Sequence, residues 1–239
     1  MITAALLGNP NVGKTTLFNA LTGSNQYVGN WAGVTVEKKE GFISNKIKIV
    51  DLPGIYAMDT YSNEEKVSKE FLQSGNVDVI VNIVDASSLD RNLYLTTQLK
   101  QFNKPIILVL NMIDVAISKG LDINFKLLEQ KLGVKIIPIV ASKGKGISDV
   151  RDCLLKKDYI ATSTNALKFK DEKETYDYIE GLLKSITNKN TDNKVSITEK
   201  IDKIVLNRLL AYPLFFGSLF LIFMFTFTWV GQPLADFLD

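Results

Sequence analysis

Residues Gly8 to Thr15 read Gly-Asn-Pro-Asn-Val-Gly-Lys-Thr, which matches the motif G-x-x-x-x-G-K-[ST]. An apolar run of strand length precedes the motif, and a helical pattern, Thr16 to Leu21, follows it. In this context the glycines let successive backbone N–H groups and the helix N-terminus point at phosphate groups. The stretch therefore predicts a phosphate-binding loop between a strand and a helix.

This loop supplies most of the predicted phosphate contacts. Lys14 adds a positive charge at the β and γ positions, and the Thr15 hydroxyl is of the right type to ligate Mg²⁺. The predicted contact residues of the loop are Gly8, Asn9, Pro10, Asn11, Val12, Gly13, Lys14, Thr15 and Thr16.

Apolar runs of strand length alternate with helical patterns from Ile2 to about Lys157. This alternation predicts an α/β fold in which helices flank a mostly parallel sheet. We predict five helices and six strands, the strands at residues 2–7, 36–43, 46–50, 77–84, 106–110 and 135–140. Ser62 and Glu65 have the spacing of a capping box at the start of one helix, and Gly75 stands where that helix would end.

The composition narrows the classes of function. With 28 basic and 26 acidic residues, the 239-residue chain has a formal net charge of +2, so nucleic acid is not expected as a partner. The chain has no histidine and one cysteine, Cys153, which excludes Cys/His zinc sites, a Ser-His-Asp triad and an intrachain disulfide. Cys153 is expected to be a packed core thiol.

A second loop, Asp51-Leu52-Pro53-Gly54, follows a predicted strand. Asp51 would reach the Mg²⁺ shell, and the Gly54 N–H would contact a γ-phosphate. Leu52 and Pro53 complete this predicted nucleotide contact. A simple turn is the alternative interpretation of these four residues.

Two further loops predict which base is bound. In Asn111-Met112-Ile113-Asp114, the Asp114 carboxylate can accept both N–H groups on the edge of guanine, whereas adenine would leave it unpaired. The Ser142 backbone N–H in Ala141-Ser142-Lys143 is expected to contact the guanine carbonyl. The predicted base-side contacts are Asn111, Met112, Asp114, Ala141, Ser142 and Lys143. We therefore predict GTP and GDP as ligands.

The order and spacing of these loops resemble the small GTPase superfamily over residues 1–157. The stretch Tyr27 to Lys39 is similar to the first switch of the ferrous iron transport protein B (FeoB) family. That resemblance implies that Thr35 completes the Mg²⁺ shell of Thr15 and Asp51, with Gly33 and Val34 beside the nucleotide. It also implies a K⁺ ion held by Asn11 and by the carbonyls of Gly29 and Trp31.

The resulting catalytic set is Lys14, Asn11, Thr35 and Gly54. Ile55 follows Gly54, where a glutamine would position water, and no arginine stands out as a built-in finger. We expect slow intrinsic GTP hydrolysis that is assisted by K⁺.

The segment Leu209 to Val230 has 22 residues without a charge. As a helix it would extend about 33 Å, enough to cross a hydrocarbon core of about 30 Å. We predict a transmembrane helix, and the alternative is a buried core helix. The positive-inside rule then places the N-terminal domain in the cytoplasm, with Trp229 as an interfacial anchor. The flanking charges are Lys200, Lys203, Arg208, Asp236 and Asp239.

Three stretches are similar to the sequence with which the FeoB family enters its first transmembrane helix. They are Ile201–Lys203, Tyr212–Leu214 and Trp229–Leu234. We therefore predict a GTPase domain at residues 1–160, a short helical spacer resembling a nucleotide-dissociation-inhibiting region at 161–206, and a first transmembrane helix with its flank at 207–239. One helix cannot enclose an ion path, so we expect a fragment of a multi-pass inner-membrane protein whose Fe²⁺ site lies outside this chain.

The leading hypothesis is the cytoplasmic domain of a GTP-gated Fe²⁺ transporter. Its expected partners are guanine nucleotide and the lipid bilayer, with small accessory Feo proteins and a homo-oligomer as further candidates. One alternative is a soluble bacterial GTPase that assists ribosome or tRNA maturation. Another is a signalling or scaffold module that binds nucleotide and hardly hydrolyses it.

Overall fold

The structure is a computed structural model that describes residues 1–23, 26–31, 33–59, 61–159, 169–189, 205, 207 and 211–231. The chain divides into two compact units, Met1–Asn190 and Thr191–Asp239. Each unit is described separately below.

A seven-stranded sheet forms the centre of the first unit, in the order β2-β3-β4-β1-β5-β6-β8. Neighbouring strands from β4 to β8 run parallel, whereas β2, β3 and β4 pair antiparallel. The predicted α/β fold with a mostly parallel sheet is thus confirmed. The strands are β1 Ile2–Gly8, β2 Gln26–Asn30, β3 Glu37–Ile43, β4 Ile47–Asp51, β5 Val79–Asp85, β6 Ile106–Asn111 and β8 Lys135–Pro138.

The predicted count of six strands was wrong, because β2 is an additional strand at the edge of the sheet. Its residues Gln26–Asn30 are mostly exposed and pair with Glu37–Gly41 through the backbone. An exposed edge strand needs no alternation of apolar and polar side chains, so the hydrophobic pattern gave no signal for it. A small second sheet joins β7 Leu121–Ile123 to β9 Thr187–Lys189.

Helices cover both faces of the central sheet. Side chains of β1 alternate between the two faces, with Ala5 and Leu7 in one apolar cluster and Ala4 and Leu6 in the other. Up to Lys157 the described residues contain six α-helices, one more than predicted. They are α1 Lys14–Thr22, α2 Asn63–Gln73, α3 Leu89–Leu99, α4 Ile113–Ser118, α5 Phe125–Leu132 and α6 Ile147–Lys156.

Local signals in α2 and α6 match their sequence interpretation. Ser62 and Glu65 form both hydrogen bonds of a capping box at the start of α2. Gly75, just past the end of α2, has a φ of 77°, a conformation that glycine adopts without strain. Cys153 is a buried thiol on α6, and burial raises its pKa to about 11. This cysteine is therefore protonated at neutral pH and serves in packing.

The described part of the predicted spacer is one helix, α7 Glu172–Ile186, followed by β9. The ring of Tyr176 on α7 stacks on Tyr94 of α3 with centroids 5.1 Å apart. The chain after α7 pairs with β7, with Ile123 opposite Thr187. These contacts place α7 against the GTPase-like domain within the first unit. Spacer residues 161–168, 190–204 and 206 lie outside the described residues.

In the second unit the described residues form an α-helix, Ala211–Met224, that continues as a π-helix, Phe225–Gly231. Among the described residues, no helix is both long enough and apolar enough to cross a membrane. The predicted span Leu209–Val230 is described only from Ala211 onward, since residues 209 and 210 lie outside the described residues. The flanking charges at 200, 203, 208, 236 and 239 and the stretch 232–234 lie outside the described residues.

Candidate nucleotide-binding site

The phosphate-binding loop connects β1 to α1 at the carboxyl edge of the central sheet. Gly13 has a φ of 91° and Asn11 a φ of 65°, so the chain turns sharply before α1. A cavity of about 490 Å³ lies above this turn. Its lining residues are Asn9, Pro10, Asn11, Gly13, Lys14, Thr15, Thr16 and Gly54. The structure thus gathers most of the predicted phosphate contacts in one cavity.

The second loop lies directly beside the first because β4 and β1 are parallel neighbours, with Asp51 opposite Leu6. The Ile55 N–H donates to the Gly8 carbonyl at 3.2 Å. A Cβ atom added to Gly54 would lie 3.3 Å from the Pro10 Cα, which is tighter than ordinary contact. Gly54 therefore brings the backbone of the second loop against the phosphate-binding loop. Leu52 is fully buried beneath it.

Lys14 forms an ion pair and a hydrogen bond with Asp51. Burial raises the pKa of the Asp51 carboxyl above its ordinary value, and the Lys14 ammonium offsets part of this shift. Because Asp51 is only 7% exposed, the pair is screened little by water. A polyphosphate bound in the cavity would compete with Asp51 for the Lys14 ammonium.

The oxygen donors at this edge of the sheet are of the type that Mg²⁺ prefers, namely the Asp51 carboxylate and the Thr15 hydroxyl. Among the described residues, no group of three or more His, Cys, Asp or Glu side chains could hold a metal ion. Asp51 and Thr15 would therefore contribute oxygen ligands to a Mg²⁺ ion alongside phosphate oxygens. The residues present fit that arrangement, which needs a nucleotide to complete it.

The base-side loops meet at Asn111, the last residue of β6. Its Nδ2 donates to the Val12 carbonyl at 2.8 Å, and its Oδ1 accepts from the Ala141 N–H at 2.9 Å. Asn111 is 3% exposed, so both bonds are shielded from water. The amide therefore connects the phosphate-binding loop to the loop of residues 141–143. Sequence reasoning assigned Asn111 to the nucleotide, and it missed this connecting role.

Asp114 lies in the first turn of α4, and Met112 precedes that helix with a φ of 60°. The Lys143 Nζ contacts the Asp114 Oδ2 at 2.6 Å. This hydrogen bond from Lys143 lowers the pKa of the Asp114 carboxyl. Asp114 is thus a carboxylate at neutral pH, as acceptance of guanine N–H groups requires. The neighbouring Ser142 is exposed.

The predicted first-switch residues do not line the phosphate cavity in the described part of the chain. Gly29 lies in β2, and the loop that follows closes as a β-hairpin, with Asn30 opposite Glu37. Thr35 is exposed in that loop, and the Trp31 carbonyl accepts from the Val34 N–H at 3.3 Å. The cavity and the switch loop are therefore separate. The residues so placed are Gly29, Trp31, Gly33, Val34 and Thr35.

Helix α3 makes two contacts with the segment just after the second loop, and sequence reasoning missed both. The Gln98 Oε1 accepts from the Met58 N–H at 2.7 Å, and the Arg91 guanidinium lies 4.4 Å from the centroid of the Tyr56 ring. These partners are separated by 35 to 40 residues in sequence. No motif or periodicity could have indicated them, because they arise from the packing of α3 beside the loop.

Three loops define the class of protein: a phosphate-binding loop between a strand and a helix, an aspartate loop beside it, and an Asn-x-x-Asp loop that is hydrogen-bonded to the phosphate-binding loop. The first unit has the fold and loop arrangement of a P-loop GTPase domain. Residues 2–154 match the family described as "Ferrous iron transport protein B". The chain therefore belongs to the ferrous iron transport protein B family.

Three relatives illustrate this membership. The "Fe(2+) transporter FeoB" of Staphylococcus aureus (strain COL) is 35% identical, over 98% of this chain and 46% of that protein. A GDP-bound mutant of the S. thermophilus FeoB G-domain is 47% identical with a TM-score of 0.62, over 71% of this chain and 64% of that one. The cytosolic domain of the T. maritima FeoB iron transporter in its GMPPNP form is 27% identical with a TM-score of 0.67, over 79% of this chain and 100% of that one. The chain spans about half the length of the S. aureus relative.

Replacing Gly13 with alanine tests the shape of the loop. A Cβ atom there would collide with the Asn111 side-chain amide, so we expect Gly13→Ala to weaken GDP binding by on the order of 100-fold or more as the Asn111 hydrogen bonds are lost. Gly23→Ala is the matched control, because Gly23 also has a positive φ, 59°, with no atom within 4 Å of an added Cβ. Titration with a fluorescent GDP analogue measures both, and equal affinities for the two variants would contradict the account.

Proposed function

We propose that the chain is the GTP-binding and GTP-hydrolysing cytoplasmic part of a membrane Fe²⁺ transporter, in which the nucleotide state gates iron uptake. The single observation that carries the nucleotide part is the Asn111 amide. It joins the phosphate cavity to the loop beside Asp114, so phosphate-binding and base-binding groups belong to one site. Family membership supports the iron-transport part and favours it over a ribosome-associated GTPase.

Guanine is the proposed base because Asp114 is an ionised acceptor at the edge of the site. A guanine would replace the Lys143 contact with two N–H donors, whereas adenine would offer none to this carboxylate. The GDP-bound and GMPPNP forms of the relatives support this assignment. The proposed nucleotide contacts are those predicted from the sequence.

Hydrolysis requires charge stabilisation on the phosphates more than covalent chemistry by the protein. Lys14 and the backbone N–H groups of the phosphate-binding loop would hold the β and γ phosphates, with the Gly54 N–H beside them, because Lys14 and Gly54 line the same cavity. Mg²⁺ and K⁺, when bound, supply positive charge against the phosphate oxygens. Thr15, Thr35 and Asp51 would hold Mg²⁺, and Asn11 with the carbonyls of Gly29 and Trp31 would hold K⁺.

The membrane part of the proposal rests on the family and on the uncharged segment from 209 to 230. We propose residues 1–160 as the GTPase domain, 161–206 as the spacer and 207–239 as the start of the membrane domain of an inner-membrane protein. Small accessory Feo proteins are its proposed partners. The Fe²⁺ path would lie in the remaining part of the full-length transporter.

Nucleotide selectivity is the direct test of the guanine assignment. We expect the purified chain to hydrolyse GTP in preference to ATP with Mg²⁺ present. Asp114→Ala should lose about 10-fold to 100-fold of the GTP preference, since a charged hydrogen-bonding partner contributes ~1 to 3 kcal/mol. Asp122→Ala, at an exposed aspartate on β7, is the control and should keep the wild-type preference. Equal use of GTP and ATP by the wild-type chain would refute the proposed base specificity.

Monovalent ions test the proposed role of Asn11. We expect GTP turnover to be faster in K⁺ than in Na⁺, and Asn11→Ala to remove most of that difference while GDP affinity changes little. Because Asn11 has a φ of 65°, Asn11→Gly is a second variant that removes the amide without backbone strain. Asn76→Ala, at an exposed asparagine outside the cavity, should keep the K⁺ effect. Turnover that is independent of K⁺ in the wild-type chain would eliminate the K⁺ site.

A further inference from the structure

The Trp31 side chain packs on helix α2. Its ring meets Phe71 edge-on, with centroids 5.3 Å apart and an interplanar angle of 68°. The Lys38 ammonium lies 4.8 Å from the centroid of the same ring, at a distance typical of a cation–π contact. The first switch segment is therefore attached to the helix that follows the second nucleotide loop.

Backbone hydrogen bonds join the two ends of the hairpin loop, Trp31 and Val36. The Trp31 N–H donates to the Val36 carbonyl at 2.9 Å, and the Trp31 carbonyl accepts from the Val34 N–H at 3.3 Å. Both backbone polar groups of Trp31 are thus used inside the loop. Thr35, in the same loop, is exposed and is not among the residues that line the phosphate cavity.

Helix α2 provides a firm support for the Trp31 ring. Its N-terminus has a complete capping box, and Val67 and Leu72 are buried on its inner face. Phe71 itself packs against the larger apolar cluster. A movement of the hairpin that carries Trp31 toward the phosphate cavity would separate its ring from Phe71.

The conformation in which Trp31 contacts Phe71 also has an unfavourable contribution to its free energy. The Trp31 Nε1 is buried without a hydrogen-bond partner, and a buried unpaired donor opposes the conformation that creates it. The aromatic contact and the unpaired N–H act in opposite directions. The contact between Trp31 and Phe71 can therefore break when another interaction pulls the loop away from α2.

We propose that Trp31 is a positioning residue whose contact with Phe71 stabilises the hairpin form of the loop of residues 31–36 against the form in which Thr35 reaches the phosphate cavity. The proposal rests on the proposed function, because a γ-phosphate with its metal ion is what would draw Thr35 inward. GDP lacks that phosphate, so the contact should oppose binding of GTP analogues and leave GDP binding unaffected.

The test uses the full chain with Trp229→Phe, so that Trp31 is the single tryptophan of the two in the sequence. Without added nucleotide, Phe71→Ala should shift the fluorescence emission of Trp31 to the red, because the indole ring loses its contact with Phe71. The Kd for GMPPNP with Mg²⁺ should fall about fivefold, the factor equivalent to ~1 kcal/mol for an aromatic pair. The Kd for GDP should not change.

Two further variants separate positioning from general loss of packing. Phe71→Tyr keeps the ring and should restore both the emission and the GMPPNP affinity of the parent. Phe125→Ala removes a comparable ring that packs on the same apolar cluster from α5, and it should alter neither quantity. Wild-type emission and an unchanged ratio of GMPPNP to GDP affinity in Phe71→Ala would overturn the proposal, as would an equal change in Phe125→Ala. If the parent bound neither nucleotide, the proposed function would fail. A red shift in Phe71→Ala would still support the contact between Trp31 and Phe71.

Discussion

One buried amide, the side chain of Asn111, fixes the geometry on which the rest of the site depends. The parallel strands β1, β5, β6 and β8 end at the same edge of the sheet, and Asn111 stands at the end of β6. Its two hydrogen bonds, to the Val12 carbonyl and from the Ala141 N–H, hold loops that are 129 residues apart in sequence. The close approach of Gly13 to this amide explains why a glycine is needed there.

Around this fixed point, charged groups of the site are paired with each other. Lys14 is paired with Asp51 on the phosphate side, and Lys143 with Asp114 on the base side. The two pairs differ in environment, since Asp51 is buried and the Asp114 side chain is 37% exposed. A bound nucleotide would therefore replace the shielded Lys14–Asp51 contact at its phosphates. At its base it would replace the solvent-screened Lys143–Asp114 contact. Removing one charge of the Lys14–Asp51 pair should therefore cost more free energy than removing one charge of the Lys143–Asp114 pair.

The sequence predicted those parts of the fold and site that depend on local spacing. The phosphate-binding loop, the Asp51 loop and the Asn111 loop each follow an apolar strand, so both their positions and their common edge could be inferred. Strand β2 could not, because it is exposed and held by backbone pairing to β3. The contact of Trp31 with Phe71 also left no signal, since the two residues are 40 positions apart and belong to different elements.

The central claim is that the Asn111 amide holds the phosphate and base loops in one nucleotide site. Calorimetric titration of GDP into the Asn111→Ala variant tests this most directly, with Asn82→Ala as the control. Asn82 is also a buried asparagine, on the neighbouring strand β5, and it is hydrogen-bonded to Leu7 of β1 and Thr96 of α3. The account predicts that Asn111→Ala weakens GDP binding by on the order of 100-fold, because two loop hydrogen bonds are lost, while Asn82→Ala lowers stability and leaves affinity near that of the wild-type chain. A folded Asn111→Ala variant that binds GDP as tightly as the wild-type chain would contradict it.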